Sequence, residues 1–506
     1  MFRSVKAQLF HWLFGTALLL ATLVISNTFF ARFLTAPMKR DEVEFLHSAW
    51  LMHAGARPFS DFFQHHSPLY LELVAGFVDD AYKLDWVLEL RLLSALLAGA
   101  SALMAGWLAV VSVRRHLVFR PSLAAFSALL FLFIVQSFPV FEIRPESVAV
   151  PFFLAAWVAH EGAIARRSLT VATLCGVLAG LAIALSPRAL LPVAGLMATT
   201  LLLGMLERNN YQVKHALGAG ITAVATGLGV LLALSSADDL MQWVYRFSRH
   251  SRPLSPLFDT VSVSTIAWLS LPVIPVLFFA YNRVRKQSLL APIGVLLAAL
   301  LGLTLEPRQF GQSLSFIVAA VVVFHSRCLG QFFSRLHLQQ QPSPIPVIIT
   351  AAAFFFMLVW HMHLLSAGAR VNSTPPSDAW LLESMKPGRT LLSSLQARTL
   401  FCRRHAGHRV LVEPTEFHPI CLADASYYWR GAQYLRAGTL QAAGITSPRY
   451  QPVIDIERAR PILLGPDFLN GATAAERAEV DRILAKDYTR SGWAFLHRDI
   501  TVSDQP

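Results

Sequence analysis

The sequence predicts an α-helical polytopic membrane protein of about 11 spans with a small C-terminal α/β extracytoplasmic domain. Two observations lead there. Of 506 residues, 55% are hydrophobic and 15% are charged, whereas soluble domains carry about 25% charged residues, so a single globule has too little polar surface to cover the rest. Apolar runs near the ~20-residue length that crosses a bilayer recur from the N-terminus to about Leu365 and then stop. Residues 1–365 are therefore read as the membrane region and 366–506 as a soluble domain.

The first apolar run begins near Leu9. It is longer than a signal-peptide core and lacks a small-x-small cleavage site, so 9–31 is read as a retained first span. The others fall near 91–112, 122–138, 146–163, 169–187, 189–206, 215–235, 262–281, 288–304, 311–326 and 344–365. Only Ser186-Pro187-Arg188 separates 169–187 from 189–206, which fits either a tight hairpin or two half-helices. An odd number of spans puts the chain ends on opposite sides. With the N-terminus cytoplasmic, Arg114, Arg115, Arg120, Arg166, Arg167, Arg208, Lys214, Arg283, Arg285, Lys286, Arg327 and Arg335 fall in short inside loops, as the positive-inside rule requires. The basic residues of the long outer loops, 32–90 and 236–261, carry little weight in that rule.

Beyond Ser366 the composition is that of a soluble domain. Arg389 to Leu395, His408 to Val412, Pro461 to Leu464 and Gly492 to Leu496 read as short strands. Thr473 and Glu476 make a capping box for a helix whose apolar face is Val480, Ile483, Leu484 and Tyr488. Cys175 lies in a span and Cys328 on the cytoplasmic side. Cys402 and Cys421 lie in the outer domain, where the compartment permits a bridge without the spacing requiring one.

A pI of 9.9 and a formal charge of +12 raise nucleic acid as a partner. No polar segment carries a Lys/Arg run with interleaved aromatics, and the excess base sits beside spans, where anionic headgroups are the simpler partner. The same reading suits Arg246, Arg249 and Arg252 with His250. No Gly-rich phosphate loop or nucleotide fingerprint is present, which disfavours direct use of a nucleotide sugar.

The richest stretch follows the first span. It holds Met38-Lys39-Arg40-Asp41-Glu42-Val43-Glu44, then Gly55-Ala56-Arg57-Pro58-Phe59-Ser60-Asp61-Phe62-Phe63-Gln64-His65-His66-Ser67-Pro68-Leu69. Adjacent carboxylates where a helix leaves the bilayer are costly unless they face water, a cation or a polar substrate. A solvated interfacial turn and a reactive site both meet that condition. Arg144-Pro145-Glu146 stands at the outer end of the third span, with Ser186-Pro187-Arg188 and Pro307-Arg308-Gln309-Phe310-Gly311-Gln312 at later turns.

An Asp-Glu pair after the first span, followed by Gly-x-x-Pro-aromatic-x-Asp-Phe-Phe and Pro-Leu, resembles the first outer loop of GT-C superfamily glycosyltransferases. These polytopic enzymes include protein O-mannosyltransferases and aminoarabinose transferases. Arg144-Pro145-Glu146 is similar to the Arg-Pro-acidic step of many bacterial members. The resemblance implies a multi-pass enzyme of the bacterial cytoplasmic (inner) membrane acting on the cell envelope. Such an enzyme moves a hexosyl or pentosyl unit from a polyprenyl-phosphate donor to a lipid, glycan or protein acceptor on the outer side. It also implies inversion at the anomeric carbon, with the family's catalytic carboxylate at Asp41 and Glu42 beside it. A lipid phosphate already leaves well, so the reaction needs a base for the acceptor and cations for the departing phosphate.

Arg144 and Arg188 suit the second need, since a guanidinium binds phosphate oxygens bidentately. For Arg144, snorkelling or pairing with Glu142 or Glu146 fits as well. Asp61 fits either a sugar contact or a turn. His65 and His66 join the substrate-binding candidates and, with His47, His53 and Asp61, supply donor types for a divalent metal. Their spacing matches no recognised metal site, and the family includes enzymes with and without one. A transporter or flippase for a lipid-linked glycan is the rival reading, and a GT-C scaffold without activity is a third. Transporters gather ionisable residues at the midplane, whereas here they stand at the outer rim.

Overall fold

A computed structural model of the chain describes residues 40–53, 55, 57–59, 64–78, 85–111, 120–136, 142–247, 287–305, 315–338, 463–464, 474–491 and 494–497. The expected spans at 9–31, 262–281 and 344–365 lie outside these residues, as do Asp61, the Pro307 to Gln312 turn, Arg249, His250, Arg252, Cys402, Cys421 and the first two expected strands.

The described chain is mostly helical. In order come α1 (Arg40–His53), α2 (Pro68–Ala75), α3 (Asp85–Val111), α4 (Arg120–Gln136), α5 (Pro145–Arg166), α6 (Leu169–Leu185), a 3-10 turn (Pro187–Ala189), α7 (Leu190–Leu206) and α8 (Asn210–Leu234). A short helical turn, Ala237–Asp239, leads into a π-helical segment, Leu240–Phe247, and then come α9 (Gln287–Leu305) and α10 (Ser315–Leu338). Near the C-terminus are β1 (Leu463–Leu464), α11 (Ala474–Asp487), β2 (Tyr488–Ser491) and β3 (Ala494–His497).

Among the described residues four stretches are long and apolar enough to cross a bilayer: Glu89–Val111, Pro145–Arg166, Pro187–Leu206 and Asn210–Leu234. Four shorter apolar stretches among them, Leu123–Leu132, Leu169–Leu185, Leu289–Gly302 and Ser315–Cys328, overlap the spans expected at 122–138, 169–187, 288–304 and 311–326. Along α8, Leu217, Ile221, Val224, Leu228 and Leu232 are all about half exposed or more and recur at helical spacing. Such a stripe is costly in water and costs nothing against lipid tails.

The chain divides into two compact units. The first comprises Leu93–Ala233 with α9 and α10. Here α5 packs on α6, α7 on α9, and α10 on α4, α5 and α9. Small residues let backbones approach: a Cβ on Gly176 would lie 2.6 Å from the Ala219 carbonyl oxygen, and one on Gly180 2.6 Å from that of Ala223. Gly176-x-x-x-Gly180 is thus the contact face of α6 on α8. Phe153 of α5 meets Phe316 of α10 edge to face at 5.6 Å.

Several polar groups inside this unit are paired across helices. Arg327 was expected in a cytoplasmic loop; instead it is 2% exposed within α10. It donates from Nε to the Leu108 carbonyl at 3.0 Å and from Nη2 to Glu161 at 2.6 Å. A long helix carries Arg327 inward, and the charge then needs a carboxylate to remain buried. Cys328 is buried beside it, within the helix. His160 Nδ1 lies 2.8 Å from His215 Nε2, and His160 Nε2 lies 3.2 Å from the Thr200 hydroxyl, joining α5, α7 and α8.

The second unit comprises Ala36–Leu92, Leu234–Pro253 and Thr374–Pro506. Within it α1 packs on α2, and the short strands form one antiparallel sheet in the order β1-β3-β2. Tyr488 was expected on the helix face; α11 ends at Asp487, and Tyr488 opens β2 opposite His497. Leu484 is buried as the apolar pattern required.

Candidate functional site

The first outer loop is built on α1. Glu42, Phe45, Leu46 and Ala49 follow one another at helical spacing and are all buried, so this face sets how the helix sits. Phe45 meets Tyr70 of α2 edge to face at 5.3 Å and the His66 ring at 4.8 Å. Asp41 lies in α1, one residue before Glu42, and its side chain lies outside the described residues. Glu42 is 2% exposed, and its Oε2 accepts from Nη2 of Arg91 at 3.1 Å. Arg91 is itself 5% exposed, so two charges are held together away from water.

The Gly-x-x-Pro-aromatic motif has a backbone reason. Gly55 has φ 90° and donates its amide to the Met52 carbonyl at 2.9 Å, turning the chain out of α1. Phe59 also has positive φ, at 70°, which a non-glycine residue adopts only under strain, and its ring is 2% exposed. Ring burial holds the strained turn in place. Gln64, fully buried, then ties the loop to the helix. Its Nε2 donates to Ser48 Oγ at 2.9 Å, and its Oε1 accepts from the amides of His65 at 2.7 Å and His66 at 3.0 Å. The two imidazoles follow, with ring centroids 4.1 Å apart. Pro68, at the first turn of α2, needs no amide partner there.

The second group stands at one end of the first unit, where α5 begins and α6 passes to α7. Arg144 is extended, and its carbonyl accepts from the amide and hydroxyl of Ser147, so Arg-Pro-Glu-Ser is the start of α5. Glu146 is thereby in the first turn, where the helix dipole favours an anion. It accepts from Arg188 Nη1 at 2.5 Å and from Ser186 Oγ at 3.4 Å. Arg144 lies 3.6 Å from Glu142, an ion pair rather than a hydrogen bond. Two motifs 42 residues apart in sequence therefore meet. Of the two guanidinium side chains Arg188 is the accessible one, 27% exposed against 6% for Arg144. Among the described residues this cluster sets Arg144 and Arg188 beside Glu142 and Glu146.

The other end of the same unit carries Arg166, Arg167 and Arg208. Tyr211 Oη donates to the Ala163 carbonyl at 2.9 Å, which brings the end of α5 beside the start of α8. The loops therefore alternate between ends as the expected connectivity requires.

Asp41, Glu42, His65 and His66 fall in one unit, and Arg144, Glu146 and Arg188 in the other. Among the described residues no three metal-ligating side chains come together. Sequence reasoning missed Arg91, Gln64, Ser48 and Ser186. Ser186 stood in a quoted motif, but nothing in sequence linked it to Glu146.

A solved arabinosyltransferase shares this fold. Among solved structures, the arabinosyltransferase EmbB from Mycobacterium smegmatis, determined by single-particle cryo-EM, is similar at a TM-score of 0.52 and 15% sequence identity. The match covers 71% of this chain and 42% of that one, so the chain spans less than half the length of that neighbour. No protein-family model and no curated protein matches the sequence.

Proposed function

We propose that this protein is an inverting membrane glycosyltransferase that moves a hexosyl or pentosyl unit from a polyprenyl-phosphate donor to an acceptor on the extracytoplasmic side. The observation that carries this reading is the meeting of Arg144-Pro145-Glu146 and Ser186-Pro187-Arg188 at one end of a bundle whose fold an arabinosyltransferase shares. In this reading Asp41 takes the proton of the acceptor hydroxyl as the oxygen bonds to the anomeric carbon, and the bond to the lipid phosphate breaks with its electrons going to phosphate. Arg188 and Arg144 hold the departing phosphate, with Glu146 and Glu142 keeping the guanidinium groups in place before donor arrives. His65, His66 and Asp61 border the acceptor side, and a divalent metal is the one cofactor for which the loop supplies donor types. Residues 366–506 act as an outer domain that selects the acceptor. The site faces the outside of a bacterial inner membrane, since the basic residues gather at the other end of the spans.

A transporter of a lipid-linked glycan is the second reading. The part-buried Glu161–Arg327 pair and the His160–His215 pair favour it, because ionisable residues inside spans are a common mark of transport. They bind one another across helices, which equally serves packing. Comparison of envelope glycans by mass, in cells with and without the gene, decides between the two. A transferase predicts loss of one sugar residue from a defined glycan, with Arg188→Lys lowering its level about 10- to 100-fold. A lipid-linked glycan that accumulates intact on the inner leaflet would reject the transferase.

A further inference from the structure

We infer that Arg91 and Glu42 form a buried positioning pair that fixes α1, so that Glu42 holds the helix and does not itself react. This rests on the transferase reading above. Glu42 and Arg91 are 49 residues apart in sequence and 3.1 Å apart in space, with side chains only 3% and 6% exposed. A base must reach an acceptor that diffuses in from water, and a carboxylate enclosed at this depth and bound to a guanidinium does not. The bond instead joins α1 to the second turn of α3, on the same buried face of α1 as Phe45, Leu46 and Ala49. Together with the Gln64–Ser48 bond it pins α1 at two points, six residues apart along the helix. Position 41 adjoins the first of them. A small rotation of α1 would carry that residue away from its substrate, and misplacement by about 1 Å already costs on the order of 100-fold in rate.

Breaking one partner of a buried ion pair leaves an uncompensated charge, whereas replacing both with neutral groups removes the problem. This makes a double-variant comparison decisive. Full-length Asp41→Asn, Glu42→Gln, Arg91→Gln and the double Glu42→Gln/Arg91→Gln are expressed in a strain lacking the gene. Envelope glycan mass is the activity readout, with membrane level and detergent elution profile as folding readouts. The expected result is loss of about 100-fold or more in each single Gln variant and recovery in the double to within about tenfold of wild type. Paired amides restore the link without restoring a carboxylate.

A folded double variant as silent as Glu42→Gln would overturn the inference, because the carboxylate of Glu42 would then be needed for itself. Fully active single variants would overturn it too, since the pair would position nothing. If the double variant does not accumulate, Arg91→Lys decides. Activity within about threefold of wild type supports the pair, and a folded but silent protein rejects it. Asp41→Asn separates the two levels: activity in that variant removes the transferase mechanism itself, whatever Glu42 does.

Discussion

Gly55 and Phe59 hold the same kind of backbone conformation for opposite reasons. A Cβ at Gly55 would meet nothing within 4 Å, so the only penalty of Gly55→Ala is the positive φ, about 1–2 kcal/mol. Thermal unfolding in detergent should show a modest loss of that size with the fold intact. Phe59 carries a similar strain, yet Phe59→Gly should not stabilise. Losing a buried ring costs about 3–5 kcal/mol, more than the strain relieved. A net rise in melting temperature for Phe59→Gly would show that the ring does not hold the turn. The motif residues were legible because Gly, Pro and adjacent carboxylates each have few structural uses. Their partners were not. Arg91 reads as one more charge at the edge of a span, and Gln64 as loop polarity, because the contacts that define them close over 49 and 16 residues.

Helix positions were the most readable level of structure. Expected spans at 146–163, 189–206 and 215–235 correspond to α5, α7 and α8, because a continuous apolar run edged by Pro, Arg or Asn leaves little freedom over where a helix crosses. What pattern cannot show is which helices touch. Gly176 and Gly180 stand in α6 among other small residues, and only the structure shows α8 backbone against them. A methyl at either position meets atoms closer than 3.0 Å, so Gly176→Ala and Gly180→Ala should each destabilise by about 1–3 kcal/mol. Gly218 and Gly229 of α8 face open space, and alanine there should be neutral or stabilise by about 0.5–1 kcal/mol. Equal effects at all four sites, by thermal unfolding, would contradict the packing described. Of the β2–β3 hairpin only β2 escaped notice, since β3 overlaps the strand expected from Gly492 to Leu496, whereas Tyr488 continued a helical pattern up to the residue where α11 stops. His160, Thr200 and His215 were silent as well, since a single polar residue in an apolar run says nothing of a neighbour on another helix.

At the scale of the whole molecule, alternation of ends places Arg144 and Arg188 at one end of their unit and Arg166, Arg167 and Arg208 at the other. Reporter fusions at Ser366 and Lys286 should report opposite sides of the membrane, with Ser366 outside. A cytoplasmic signal at Ser366 would invert the topology and place the proposed site away from its acceptor. The general class of fold was readable from hydropathy and one loop motif; the pairing of Arg188 with Glu146 was not, because it depends on how a 3-10 turn packs against the start of another helix. Purified full-length protein in liposomes, supplied with a polyprenyl-phosphate sugar and an envelope-glycan acceptor, tests the central claim most directly. The wild type should form glycosylated product, and Asp41→Asn should lower its rate about 100-fold or more while inserting and folding normally. Product formed by Asp41→Asn at the wild-type rate would contradict the account.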